Sequence, residues 1–448
     1  MSRPFFVLCF LCVALLTFAS LADAQDWNHW RGSTGNGGSV DAQPPTKWSD
    51  TKNVKWKVAI PGRGMGSPVV SGNKVFVVSA VLTEQGAKDA KTKAQQPQPE
   101  QTSGEEDSRS HKRLPLVEMD FKVFCFERFT GEKLWEKTAV TTTPHQASHL
   151  TNGFATASPC TDGQRVYAPF GSRGLYCYTM DGDLVWARND FGQMETRNDF
   201  GEGSSPTLFE DKLILPWDHQ GQSSIYALNK LTGETIWKTD REEPTNWGTP
   251  VVVSHGAQKQ VVITGQIKVR AYDLESGEEL WSCRGQTPRP CGTAVAIDDL
   301  VIVGSGHRGS FMGAFKLDGK GEITGSDKVA WSIDRDTPDI SSPLLTNGRI
   351  YFYKGKMGIL TCVDAKTGAS IFSATRVPGI KTAYASPVAA GGHIYLTGRS
   401  GKTVVIKDSE KFEIVSNNSV GETVDATPAP AGVNLFIRGE KHLFCIGD

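Results

Sequence analysis

Short apolar runs separated by tight-turn residues dominate the chain and recur in one order. Val69-Val70 and Val75-Phe76-Val77 flank Gly72-Asn73, and the same arrangement surrounds Asp162-Gly163, Asn347-Gly348 and Gly391-Gly392. Short runs rich in β-branched and aromatic residues read as strands, and such pairs supply the positive φ of two-residue hairpins. Each unit opens on a hydroxyl residue, usually followed by proline: Ser67-Pro68, Ser158-Pro159, Ser205-Pro206, Thr249-Pro250, Thr293-Ala294, Ser342-Pro343, Ser386-Pro387 and Thr427-Pro428. A proline at the start of a strand removes no ladder hydrogen bond. After the first interval these starts lie 41 to 49 residues apart. That is the length of a four-stranded propeller blade.

Each unit closes on a second signature. Ala271-Tyr272-Asp273 leads through Gly277 to Trp281. Cys125 leads through Gly131 to Trp135, Cys177 through Gly182 to Trp186, and Ala227 through Gly233 to Trp237. The pattern decays to Phe372 and blurs around residues 412–415. An aromatic ring at a fixed place in each blade predicts blade-to-blade packing, worth roughly 1.5–3 kcal/mol per ring. The last start, Thr427, precedes only three strands, while an orphan strand around Trp56 precedes the first start. The predicted fold is therefore all-β: an eight-bladed propeller whose last blade is closed by the N-terminal strand. Closure leaves no exposed sheet edge. Residues 25–448 are expected to form one propeller domain. Residues 83–118, polar and rich in Lys, Gln and Glu, are expected to be a disordered insertion in the first blade.

Composition adds a compartment. Arg3, an apolar run over residues 5–18 and Ala22-Asp23-Ala24 read as a signal peptide over residues 1–24. The predicted destination is the periplasm, the cell envelope or the exterior. No other segment approaches the length of a transmembrane span. The net charge is −1, so no basic surplus points to nucleic acid. Cys125, Cys177, Cys362 and Cys445 fall at one repeat position, which predicts small buried hydrophobes. Cys283 and Cys291 flank a loop, and a disulfide between them stays open in an exported protein. The one Cys-x-x-Cys, Cys9 to Cys12, lies in the expected signal peptide, so no such spacing in the expected mature chain supports zinc.

The Ala-x-Asp-x-x-x-Gly-x-x-x-Trp pattern met by Ala271, Asp273, Gly277 and Trp281 resembles the pyrroloquinoline-quinone (PQQ) repeat of quinoprotein-like propellers. That group includes PQQ-dependent alcohol dehydrogenases and the propeller lipoprotein of the outer-membrane barrel-assembly machinery. The opening Asp26-Trp27-Asn28-His29-Trp30-Arg31-Gly32 looks like the start of exported planctomycete propellers. In the dehydrogenases, the resemblance implies PQQ stacked between a Trp and a ring of adjacent cysteines, beside Ca²⁺. This chain has no adjacent cysteine pair and no Cys-x-x-Cys-His for haem. The reading is a monomeric, exported, non-catalytic binding or scaffold propeller. It would engage an envelope protein or a polysaccharide, with no resident cofactor. A PQQ-binding or quinone-dependent oxidoreductase or sensor, with PQQ and Ca, is the alternative.

Connections 138–155, 190–203 and 240–248 are long and share one predicted face, where function is expected. They carry His145, His149, Asn152 and Phe154, then Glu195 and Arg197, then Asn246 and Trp247. Later connections on that face add Arg289, Asp339, Lys381, Tyr384 and Asp425. Aromatic faces beside amides and carboxylates suit sugar or quinone-like rings at the channel mouth. Side chains that merely fill the mouth are the plainer reading. His145 and His149 would converge only on a helix, which Pro144 opposes, so no metal is expected there. A second set, Arg173, Lys268, Arg308, Lys354, Arg399 and also Arg438, places cations on the same face blade after blade. These predict a positive ring able to focus an anion.

Overall fold

Seven hydroxyl-led units fold into four antiparallel strands and the eighth into three, and eight blade sheets are present among the described residues. The computed structural model describes residues 26–95 and 113–447. The expected signal peptide and its cleavage site lie outside them. In blade 4, for example, Val251–His255, Gln258–Ile263, Val269–Asp273 and Glu279–Cys283 pair in chain order. Blade 8 is Ala429–Ala431, Asn434–Arg438 and His442–Ile446, completed by Val54–Ala59, with Trp56 opposite Cys445. The N-terminal strand thus closes the ring, as the repeat count requires.

The start residues form a closed belt around the axis. The Ser67 N–H donates to the Ser158 hydroxyl at 2.9 Å, and the Ser158 N–H to the Ser205 hydroxyl at 2.9 Å. The belt runs on through Thr249, Thr293, Ser342, Ser386 and Thr427, each bond between 2.9 and 3.3 Å. It shuts with the Thr427 N–H on the Ser67 hydroxyl at 3.0 Å. All of these residues are buried. A buried N–H must find an acceptor, and here every blade supplies its neighbour's.

The outer strands are coupled through tryptophan. Trp135 Nε1 donates to the Met180 carbonyl of blade 2, Trp186 to Lys230 of blade 3 and Trp237 to Leu274 of blade 4. Trp331 does the same to Ala365, and Trp56 carries the pattern across the closure to Arg128. The turn glycine of the next blade lies under each ring. A Cβ on Gly277 would sit 2.6 Å from Trp237, and one on Gly131 2.7 Å from Trp56. These glycines also have φ near +74°, so the position excludes side chains twice over. Trp281 reaches blade 5 indirectly, donating to Gln260, whose amide donates to the Leu317 carbonyl. Where the pattern decays, Phe372 packs edge-on against Phe412.

Residues before the closing strand run past the hairpin ends of the innermost strands. Trp27 bridges to Val70, Asn36 bonds both the N–H and carbonyl of Ala296, and Gly38–Ser39 pairs with Ala389 and Ala390. Arg31 is fully buried there and donates to the carbonyls of Asn36, Pro343 and Pro387. Burial lowers its guanidinium pKa to about 9.

One expectation is corrected and one open question is settled. The insertion is ordered at both of its described ends. Glu84–Gln95 is a helix, with the Thr83 hydroxyl accepting from the Gly86 N–H at 3.0 Å as an N-cap does, and Ala90 packs on the blade 1 cluster. Arg113–Leu114 pairs with Ser148–His149. Residues 96–112 lie outside the described set. Cys283 and Cys291 are free thiols, not a disulfide. Their sulfurs meet different partners: Cys283 accepts from the Thr324 hydroxyl, and Cys291 faces the Arg289 carbonyl. Cys125, Cys177, Cys362 and Cys445 are fully buried, and burial pushes each thiol up to about 12.

Ser342→Ala leaves the buried Thr293 N–H without its acceptor and should lower unfolding stability by about 1–3 kcal/mol in chemical denaturation. Removal of residues 27–58 takes away the strap and the outer strand of blade 8. The truncated chain should lose cooperative melting, and melting like the full chain would contradict the closure.

Candidate functional site

The belt of hydroxyls sets what lies above it. In extended backbone, residues two apart point the same way. The residue two before each start therefore also faces the channel. These are Met65, Thr156, Gly203, Trp247, Cys291, Ile340, Tyr384 and Asp425, and all line both the mouth and the narrower chamber beneath it. The mouth encloses about 330 Å³, and its wall continues through His149, Asn152, Phe200, Arg289, Asp339 and Lys356. The chamber below, about 110 Å³, is bounded by belt hydroxyls and by Trp30.

Aromatic groups shape one wall. Trp247 and His149 both lie edge-on to Phe200, at 6.3 and 5.9 Å between centroids, and Arg289 stands over the same ring at 5.1 Å. Trp247 is oriented by its Nε1 bond to the Gly201 carbonyl at 2.7 Å. Opposite, Arg399 lies 4.2 Å over the Tyr384 ring and grips Asp425 with two bonds of 2.6 and 2.9 Å. Arg289 also donates to His307 Nδ1. Burial, followed by Arg289, holds the His307 pKa below its usual value, which keeps that nitrogen an acceptor.

Of the expected mouth residues, the structure brings together His149, Asn152, Trp247, Arg289, Asp339, Tyr384 and Asp425. It takes the others elsewhere. Phe154 is buried in the blade 1 cluster beneath Arg173. Asn246 is buried against Asp218 and the Thr264 carbonyl. His145 donates from Nε2 to the Met194 carbonyl at 2.9 Å, whereas His149 Nδ1 accepts from the Thr151 N–H, so the two rings do not form a pair. Glu195, Arg197 and Lys381 are exposed outside the mouth. Met65, Thr156, Gly203, Cys291 and Ile340 were missed. Counting two residues back from each start finds them, a signal in the sequence that polarity alone hides.

The positive ring is corrected as well. Arg173 pairs with Glu202, Lys268 with Glu322, Lys354 with Asp336 and Arg399 with Asp425, between 2.5 and 2.8 Å. Each of these four meets a carboxylate reached only through folding, whereas the Arg438 guanidinium is buried without a hydrogen-bond partner. Arg308 is exposed on its turn, at φ +52°.

The profile of the family described as outer membrane protein assembly factor BamB matches residues 119–373, more than half of the chain. The chain belongs to this family. Among curated proteins, the quinoprotein ethanol dehydrogenase of Pseudomonas putida is 26% identical over 213 residues, 42% of this chain. The chain covers only 30% of that relative's length. Quinohemoprotein alcohol dehydrogenase from Comamonas testosteroni superposes with a TM-score of 0.62 at 11% identity, over 96% of this chain and 82% of that one. A europium-containing methanol dehydrogenase gives 0.60 at 10% identity, over 94% and 91%. BamB from Moraxella catarrhalis gives 0.51 at 13% identity, over 75% and 94%. At these identities the structural likeness is one of fold.

In this BamB-family chain two of the oxygen-bearing side chains at the mouth are already engaged within the protein. Calcium takes 6–8 convergent oxygens. The Asp425 carboxylate is held by Arg399, and the Asn152 oxygen accepts from Gly153 and Thr156. Among the described residues no group of three or more His, Cys, Asp or Glu converges on a point. Nor do they include a helix long and apolar enough to cross a membrane.

Asn246→Ala should leave mouth binding intact but lower stability by about 1–3 kcal/mol, because buried Asp218 and the Thr264 carbonyl lose a donor. Denaturation alongside ligand titration checks this separation.

Proposed function

We propose that the protein is an exported, non-catalytic binding propeller that engages its partner through the long-loop face. The observation that carries this reading is the mouth itself. It is a pocket walled by Trp247, Phe200 and Tyr384, whose polar groups are largely held by their own neighbours. Apolar ring faces with a few oriented polar groups suit the faces of sugar rings, so an envelope glycan is the favoured occupant. A protein partner in the envelope is supported by membership of the BamB family and would use the rim of the same face. The thiol nearest the mouth, Cys291, is pushed up to about 12 by burial, which makes it a poor nucleophile.

The competing reading, a quinone-dependent oxidoreductase, draws on the likeness to the quinoprotein ethanol dehydrogenase. Titration of the full chain separates the two. Envelope polysaccharide fragments should perturb Trp fluorescence saturably, and Trp247→Ala should weaken binding at least tenfold. Saturable binding of PQQ with Ca²⁺, coupled to dye-linked alcohol oxidation, would overturn the non-catalytic reading. Silence with glycans, joined to capture of one envelope protein that depends on the same face, would assign the face to that protein.

A further inference from the structure

Asp339 lies in the connection between blades 5 and 6, one residue after the bridge from Pro338 to Gly355. Its N–H donates to the Gly355 carbonyl at 3.2 Å, which sets it beside Lys356 of blade 6. Asp339 is 8% exposed and lines the mouth. Among the described residues nothing donates to its carboxylate and no cation pairs with it. Other carboxylates on this face are held: Glu202 by Arg173, Asp218 by Arg241, Glu243 by Arg270 and Asp425 by Arg399. A buried carboxylate without a donor is unfavourable until one is supplied, and its oxygens can only accept.

The same corner of the mouth is cationic. Arg289 stands over Phe200, and exposed Lys356 continues that wall. Arg289 is partly exposed; its Nη2 donates to His307 and its Nε is buried, which leaves Nη1 unused by the protein. Nearby charges cancel in pairs: Arg399 with Asp425, Lys354 with Asp336 and Arg335 with Asp334. Arg289 and Lys356 therefore stand against Asp339 alone, with one positive charge in excess. Exposed Arg308 adds a second from the adjoining turn. His307 is acted on by Arg289, Asp339, Arg308 and Lys356 together, so these groups surround one imidazole.

We infer that the mouth is a subsite for one acidic sugar unit, whose ring hydroxyls donate to Asp339 and whose carboxylate or sulfate is taken by Arg289 and Lys356. This rests on the glycan reading and narrows it. Hydroxyl donors on a carboxylate, and ammonium or guanidinium donors on an anion, are the charge-assisted bonds that carry most strength. A neutral sugar would satisfy Asp339 and leave the cations unmatched. A simple anion would meet the cations and be repelled by Asp339. An acidic sugar answers both, and its ring face falls to Trp247. The mouth, about 330 Å³, is at the small end of ligand pockets, which run from roughly 300 to 1,000 Å³.

Titration of the full chain, read by Trp fluorescence and calorimetry, tests this with two acids and their neutral counterparts. The probes are trigalacturonate beside its methyl ester, and sulfated galactotriose beside galactotriose. At low salt one acid should bind about fivefold or more tighter than its counterpart, and the tighter acid names the anionic group. Lys356→Gln, at an exposed position, should weaken that acid about two- to fivefold and leave the neutral sugars unchanged. Asp339→Ala should weaken acidic and neutral forms alike, by about tenfold or more, because both use hydroxyls. Equal affinity for acidic and neutral forms, or indifference to either substitution, would overturn the acidic assignment while leaving the mouth a glycan site. No response to any of the four sugars would overturn the glycan reading along with it.

Discussion

The belt of hydrogen bonds around the axis is the constraint on which the rest of this structure depends. Eight buried N–H groups need acceptors, and no blade can provide its own. Each hydroxyl accepts from the preceding blade while its own backbone donates to the next. The arrangement is satisfied only when the ring is complete, with the Thr427 N–H of the last blade donating to the Ser67 hydroxyl of the first. It also sets the rotation of every innermost strand, and hence which side chains face the channel.

The outer rim repeats that logic with different chemistry. A tryptophan on one blade rests on a glycine turn of the next and donates to its backbone. The spacing from Gly to Trp within one unit is thus a record of contacts to two different neighbours. Hydroxyls at the axis and indoles at the rim hold each blade at two radii, and the side chains between them fill the gap with apolar packing.

Against this scaffold the mouth is unusual for what is already engaged. Four of the loop cations expected to form a positive ring are neutralised by acids brought from neighbouring loops. The amides expected to read a ligand instead hold loop backbone. What remains toward solvent is aromatic, around Trp247 and Tyr384, with Asp339, Arg289 and Lys356 beside it.

The sequence by itself determined the repeat, the blade count, the closing strand and the role of the four repeat-position cysteines. Each follows from local periodicity: strand-length apolar runs, turn pairs and the recurrence of Ser/Thr-Pro and Gly-to-Trp. It also held the lining of the mouth, at two residues before each start, in a register that composition does not reveal. Folding alone decided which charges are free. Arg399 and Arg438 look alike in the chain, each at a turn near the end of a blade's second strand. One meets Asp425 from the following connection, and the other meets nothing. Charge pairing depends on atoms a few ångströms apart that lie many residues apart in sequence. The helix over Glu84–Gln95 and the free thiols of Cys283 and Cys291 were settled the same way, by contacts outside their own segments.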